Sequence, residues 1–294
     1  MTPIRLGTRG SPLALVQANM VRDALAAAHG IATEIVVIRT TGDRVQDRAL
    51  AEIGGKALWT KELDRALLAG EIDCAVHSMK DVETIRPEAI VIAAMLPRAD
   101  VRDRIIGAAS IAALAHGATV GSSSPRRRAQ LLRLRPDLTI VLFRGNVDTR
   151  LAKLAAGEAD ATLLAAAGLD RLGRHDVGAD IPLDVMLPAP AQGAVGIEAR
   201  AEDSRTRALL AAIGDAMTMR CVTAERAFLA ALSADCHSPV AALATLAGDG
   251  LRLRGELLAE DGSAHVAGEG DDPRQLAIDL LARAPDTIRD LFAA

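Results

Sequence analysis

A chain of 294 residues, half of them hydrophobic and 24% charged, is long enough to bury the cores of two or three globular domains. Its net charge of −4 argues against general attraction to nucleic acid or anionic membrane, and three Phe, one Trp and no Tyr leave little for stacking single-stranded bases. No apolar run reaches membrane-spanning length, the start lacks a secretory-signal layout, and three cysteines make no disulfide framework, so a cytoplasmic protein with reduced thiols is expected.

The segment "PIRLGT" reads as a short strand entering the loop "RGS". Ser11 before Pro12 marks a helix start: a hydroxyl to cap free N–H groups, then proline at the first helical position. The helix runs to Gly30, and "TEIVVIRT" is the next strand. A second helix, "TKELDRALLAG", closes at Gly70, and a strand follows from about Ile72 to His77. Alternation of this kind predicts α/β layers.

The pattern then recurs. "TVGSSSPRRRAQLLRL" repeats the strand, polar loop and Ser-Pro helix start of "RLGTRGSPLALVQ", while "TRLAKLAAGEADATLLAA" matches "KELDRALLAGEIDCAVHS". Two similar α/β domains are therefore expected. "LPAPAQGAVG", Leu187 to Gly196, reads as a hinge. Beyond it lie two helices, strands joined by Gly-Asp and Asp-Gly turns, and a closing helix pair, which suggest a small α+β domain from about Thr218.

Four features carry candidate chemistry. The Ser-Pro helix starts at Ser11 and Ser124 offer free N–H groups and a positive dipole end to an anion, with Arg9 beside one and Arg126, Arg127 and Arg128 in the first turn of the other. Cations there oppose the dipole, which makes a bound anion their natural compensation; for either start taken singly, an ordinary cap with exposed arginines is the alternative. "HSMKDV", His77 to Val82, sits at the carboxyl end of a predicted strand, where open α/β sheets bind ligands, and Asp81 beside Lys80 is a candidate carboxylate catalyst or part of a surface turn with a weak ion pair, which this stretch alone favours. "FRGNVDTR" brackets a glycine turn and a helix start with Arg144 and Arg150. Residues 121–150 hold seven arginines against two aspartates, a concentration suited to an anionic ligand or to a solvated helix face. The fourth feature is Cys236, in the polar stretch "LSADCHSPV". Spacing disfavours zinc, so it reads as a reactive thiol or a spectator in a loop, while Cys74 and Cys221 fall in apolar elements as core fillers.

Taken in order, "GTRGSPLAL", "TTGD", "GGKALWTKELDRALL", "DCAVHSMKDV", "GSSSPRRRAQL", "RGNVDTRLAKL", "AAAGLDRLG", "PAQGAVGIE" and the late cysteine resemble the porphobilinogen deaminase (hydroxymethylbilane synthase) family through almost the whole chain. The resemblance implies an α/β fold of two periplasmic-binding-protein-like domains, 1–97 plus 193–216 and 98–192, and a smaller α+β C-terminal domain, 217–294. It implies a transferase that deaminates porphobilinogen, adds four units head to tail to a dipyrromethane cofactor and hydrolyses off a linear tetrapyrrole. Cys236 would hold that cofactor as a thioether, and Asp81 would be the catalytic carboxylate. Arg9, Ser11, Ser78, Lys80, Ser122, Ser124, Arg126, Arg127, Arg144, Arg150 and Arg171 would bind the acetate and propionate groups of the cofactor, substrate and growing oligopyrrole. Lys56 and Trp59 would lie in a lid. The resemblance implies a heme-pathway enzyme, cytoplasmic and monomeric, without metal, nucleic acid or membrane partner. Departures occur at Gly10, Glu52, Trp59, Ala234-Asp235 and His237. A non-catalytic two-domain anion-binding protein is the rival reading, and it leaves Cys236 and Asp81 without a role.

Overall fold

Ile4 and Leu6 bury their side chains from strand β1 (Ile4–Arg9) in the computed structural model, which describes residues 3–39, 60–248 and 250–292. The loop after β1 enters helix α1 (Pro12–His29), where Ser11 Oγ accepts the Ala14 N–H at 3.3 Å. Such a cap contributes about 1 kcal/mol. Gly30, at φ 63°, ends the helix and donates its N–H to the Ala26 carbonyl. Ala18, Val21 and Leu25 of α1 pack with Leu6 and Val76 in one core.

The chain divides by contact into two units, Met1–Ala99 with Gly193–Arg220, and Asp100–Gln192 with Cys221–Ala294. The first unit adds β2 (Thr33–Ile38), α2 (Lys61–Leu68), β3 (Cys74–Ser78), a 3₁₀ turn (Met79–Asp81), β4 (Ile90–Met95), β10 (Val195–Arg200) and α6 (Ser204–Ala211). Its sheet has the order β2-β1-β3-β10-β4, with β1, β2 and β3 parallel and β10 antiparallel to both neighbours. The strand expected from about Ile72 to His77 thus runs from Cys74 to Ser78.

The second unit repeats that plan with β5 (Asp103–Ile106), β6 (Thr119–Gly121), α3 (Pro125–Leu134), β7 (Thr139–Val141), α4 (Val147–Ala155), β8 (Ala161–Ala165), α5 (Ala166–Arg171) and β9 (Ala179–Asp180). The order is β7-β6-β8-β5-β9, with β6, β7 and β8 parallel and β5 antiparallel in the fourth place. The matched segments of sequence occupy equivalent places: β1 and α1 correspond to β6 and α3, and α2 and β3 to α4 and β8.

A third, antiparallel sheet is the meander β11 (Val240–Ala247), β12 (Gly250–Leu258) and β13 (His265–Gly270). Helices α7 (Ala216–Ala231) and α8 (Pro273–Arg283) supply Phe228, Leu276 and Leu280 to its core, and α9 (Asp286–Arg289) supplies Ile288. Leu187 joins Ala241 and Leu243 in a smaller cluster, and Gln130 of α3 donates to Glu256 of β12 at 2.8 Å. These links explain why the meander falls into the second unit by contact although its main core is its own. The breaks read from the sequence, after 97, 192 and 216, compare with contact breaks after Ala99, Gln192 and Arg220.

The tip of the Phe228 ring stands against Gly255, where an added Cβ would sit 2.7 Å from Phe228 Cζ. Gly255→Ala therefore overpacks the meander and should cost about 1–3 kcal/mol. The check is a lowered urea midpoint, and an unchanged midpoint contradicts this packing.

Candidate functional site

Parallel pairing of β1 with β3, Leu6 opposite Cys74 and Gly7 opposite Ala75, brings their carboxyl ends side by side. The loop after β1 carries Arg9 and Ser11, and β3 ends at Ser78 and continues into the turn that bears Lys80 and Asp81. A pocket opens there, lined by Arg9, Ser11, Gln17, His77, Ser78 and Asp81 among others. Four expected site residues thus meet, with the N-terminal end of α1 on the same wall. Lys80 is in the turn but is not on this wall. Among the described residues, none hydrogen-bonds or ion-pairs with the Asp81 carboxylate.

Gln17 was not singled out in the sequence. It is buried in α1, donates from Nε2 to Ser78 Oγ at 2.8 Å, and its Oε1 lies 3.2 Å from the same hydroxyl. Its signal was spacing, since positions 13, 14 and 17 share one helix face.

Behind the pocket is a network of buried charge. Arg86 donates to both oxygens of Glu198, Nε at 2.8 Å and Nη2 at 2.9 Å, and also to Asp64 at 2.5 Å and Glu83 at 2.6 Å. His77 Nε2 lies 3.1 Å from Glu198 Oε2, off the direction of a good hydrogen bond. Burial alone would push the Glu198 carboxyl up, but the His77 and Arg86 contacts outweigh it and hold its pKa at about 2. For Asp64, burial wins over the Arg86 contact and raises the pKa. A glutamate amid the apolar strand "VGIEAR" was the sequence signal for this network.

The second unit presents a comparable edge. Ser122, Ser123 and Ser124 follow β6, Arg144 follows β7, and Arg171 lies in α5 directly after β8. The three strands are parallel neighbours, so the residues that follow β6 and β7 and the start of α5 lie at one edge, with Arg171 at the far end of α5. Ser124 caps α3 by accepting the Arg127 N–H, and Asn146 caps α4 by accepting the Thr149 N–H. Arg150 donates from Nε to the Gly145 carbonyl at 3.0 Å and from Nη2 to Ser123 Oγ at 3.2 Å. Arg144 is buried, and burial lowers the pKa of the Arg171 guanidinium.

Arg126 and Arg127 differ from expectation. Both are buried, and both face Asp103 of β5, Arg126 Nη1 at 2.8 Å from Oδ2 and Arg127 Nη2 at 2.7 Å from Oδ1. The compensating anion at this helix start is thus supplied from within the protein. Arg126 also donates to Gln130 and to the Leu187 carbonyl, and Arg127 to the Leu163 carbonyl. Burial would raise the Asp103 pKa, but the charges of the two arginines outweigh it and hold it well below the usual carboxylate range. An arginine pair with one carboxylate still leaves one positive charge, and the Nε atoms of both have no hydrogen-bond partner among the described residues.

Cys236 is exposed and forms no disulfide. It sits in the turn between α7 and β11, fixed by the Asp235 N–H donating to Ser238 Oγ at 3.1 Å and the His237 N–H donating to Asp235 Oδ1 at 2.8 Å. The Asp235 side chain is therefore engaged in holding the turn. Cys74 and Cys221 are buried in separate cores, and burial pushes the Cys74 thiol up to about 12. Lys56 and Trp59 lie outside the described residues, and no group of metal-ligating side chains occurs among those described. No helix among them is long and apolar enough to cross a membrane.

Comparison with known proteins places this geometry in context. Residues 4–208 match the family "Porphobilinogen deaminase, dipyromethane cofactor binding domain", and residues 219–284 match "Porphobilinogen deaminase, C-terminal domain". The porphobilinogen deaminase of Sphingopyxis alaskensis is 61% identical over 305 residues, covering 99% of this chain and 97% of its own. That of Paracoccus denitrificans is 58% identical over 297 residues, covering 96% and 95%. A periplasmic substrate-binding protein from Coxiella burnetii is similar in structure at TM-score 0.45 and 15% identity, covering 74% of this chain and 94% of that one. That likeness is too distant to argue from, and the α/β class stands on the strand orders themselves.

Because the folded Glu198 pKa is depressed, the unfolded chain binds the proton more readily, and this carboxylate stabilises the fold above its ordinary value. That stability is lost as pH falls from about 4.5 toward about 2. Glu198→Gln weakens the contacts to Arg86 and His77 while Arg86 keeps Asp64 and Glu83, and should cost about 1.5–3 kcal/mol near neutral pH. Urea midpoints measured against pH should fall less steeply with acid in the variant, and parallel profiles would contradict the assignment.

Proposed function

This chain belongs to the porphobilinogen deaminase family, and we propose that it carries out the family's hydroxymethylbilane synthase reaction with Asp81 as catalyst and Cys236 as cofactor anchor. In that reaction four porphobilinogen molecules lose ammonia, join head to tail, and leave by hydrolysis as a linear tetrapyrrole. The observation that carries the reading is the Asp81 carboxylate, without a protein partner among the described residues, in a pocket beside Arg9 and the start of α1.

The donor chemistry fits a dipyrromethane. An exposed thiol stands on a fixed turn, and guanidinium groups with helix N–H groups suit the acetate and propionate arms of pyrroles. When bound, this cofactor supplies the chain end to which the first substrate unit is added. Cys236 would hold it through a thioether. Arg9, Ser11, Ser78 and Lys80 would bind carboxylates in the first unit, and Ser122, Ser124, Arg144, Arg150 and Arg171 in the second. Arg126 and Arg127 would share the one positive charge left after Asp103.

The chemical task of Asp81 follows from charge. Departure of ammonia from porphobilinogen leaves positive charge shared onto the pyrrole nitrogen. A carboxylate aimed at that N–H stabilises the charge and takes part in proton transfer at the ring. With three cysteines that make no disulfide framework, the chain is further proposed to work in the cytoplasm, and the family resemblance supports a monomer.

Asp81→Ala should slow formation of the linear tetrapyrrole from porphobilinogen by about 10²–10³. The variant should still carry covalent pyrroles, as read by reaction with Ehrlich's reagent. A rate near that of the parent protein would sink the catalytic assignment.

A further inference from the structure

A side chain that acts on a substrate atom without a hydrogen bond or ion pair of its own takes its aim from its backbone. Among the described residues none bonds to Asp81, which ends the 3₁₀ turn after β3 and opens the loop to β4. The loop is tied on both sides of it. Two residues earlier, Met79 is buried and donates its backbone N–H to the Ala194 carbonyl at 3.1 Å. Its side chain fills the space over Gly196, where a Cβ would stand 2.0 Å from Met79 Sδ.

Two residues later, the Glu83 carboxylate accepts from the Thr60 hydroxyl, whose oxygen is 2.9 and 2.7 Å from its two oxygens, and from Arg86 Nη1 at 2.6 Å. Thr60 is the residue before α2, and Arg86 is itself fixed by Glu198 of β10 and Asp64 of α2. The loop after Asp81 is thereby joined to a helix and to the sheet through one guanidinium. We infer that Glu83, gripped by Arg86 and Thr60, is a positioning residue for Asp81, fixing the far side of its turn as Met79 fixes the near side. The inference rests on the catalytic role of Asp81 proposed above.

Arg86 is the wrong place to test it. Removing that cation leaves Asp64, Glu83 and Glu198 facing one another, and the fold suffers with the site. Glu83 lies at the margin of the network, its side chain 20% exposed, and can be removed with the Arg86–Glu198 pair intact.

The experiment is a double-mutant cycle on the cofactor-loaded enzyme with porphobilinogen as substrate. Glu83→Ala should lower kcat by roughly 10- to 100-fold, the scale of a misplaced catalytic group, with KM changed by less than about twofold. In an Asp81→Ala background the same substitution should change kcat by less than about twofold, because no aimed carboxylate remains. A parental kcat in Glu83→Ala, or an equal fold-loss in both backgrounds, overturns the inference. Should Glu83→Ala fold poorly, Glu83→Gln keeps the shape, weakens both bonds and carries the same comparison. A near-parental rate in Asp81→Ala alone would instead overturn the proposed reaction chemistry, so the two failures are distinct.

Discussion

Parallel pairing of β1 with β3 is the constraint on which the candidate catalytic pocket depends. Parallel neighbours end at the same edge, so the loop carrying Arg9 and Ser11 and the turn carrying Asp81 meet without either segment being long or strained. Helix α1 begins at that edge, so its free N–H groups and dipole serve the same pocket. The second unit uses the same rule: β6, β7 and β8 end at one edge, where Ser122 follows β6, Arg144 follows β7, and the helix that ends at Arg171 follows β8. In both sheets the antiparallel strand in the fourth place supplies a buried acid, Glu198 on β10 and Asp103 on β5.

Those two acids show how an arginine-rich fold manages its own cations. A guanidinium buried without a partner is costly, and several close together repel. Asp103 takes Arg126 and Arg127 on separate oxygens, and Glu198 takes Arg86 across both. In each case attraction to the cations outweighs burial and keeps the acid ionised. The outcome differs in sign: Asp103 leaves its pair one positive charge, whereas Arg86 faces three carboxylates and has none to spare. An arginine at a helix start is therefore a poor guide to ligand charge until its internal partners are known.

Much of this was legible in the sequence. The Ser-Pro helix starts, Gly30 as a stop and the recurrence of strand, loop and helix are local signals, and the elements follow them closely. The polar run of Ser78 and Asp81 directly after an apolar strand reads as a ligand-binding strand end or as a surface turn, and both residues line the pocket of the first unit. Cys236 stood out as a thiol in a polar turn, and the turn is held by its own Asp235 and Ser238. Pairing across long separations was not legible. Nothing near Arg126 in sequence points to Asp103, and Arg86 and Glu198 lie 112 residues apart. Gln17 was hidden because an amide within an apolar helix reads as a surface residue until the neighbouring strand supplies Ser78.

The central claim is that this fold holds a covalent primer at Cys236 for chemistry at Asp81. Intact-protein mass spectrometry of the purified native chain and of Cys236→Ser tests it most directly. The account predicts that the native protein is heavier than its sequence by two linked pyrrole units and that the Cys236→Ser protein has the mass of its sequence alone. A native protein of unmodified mass, or an increment that persists in Cys236→Ser, would contradict it.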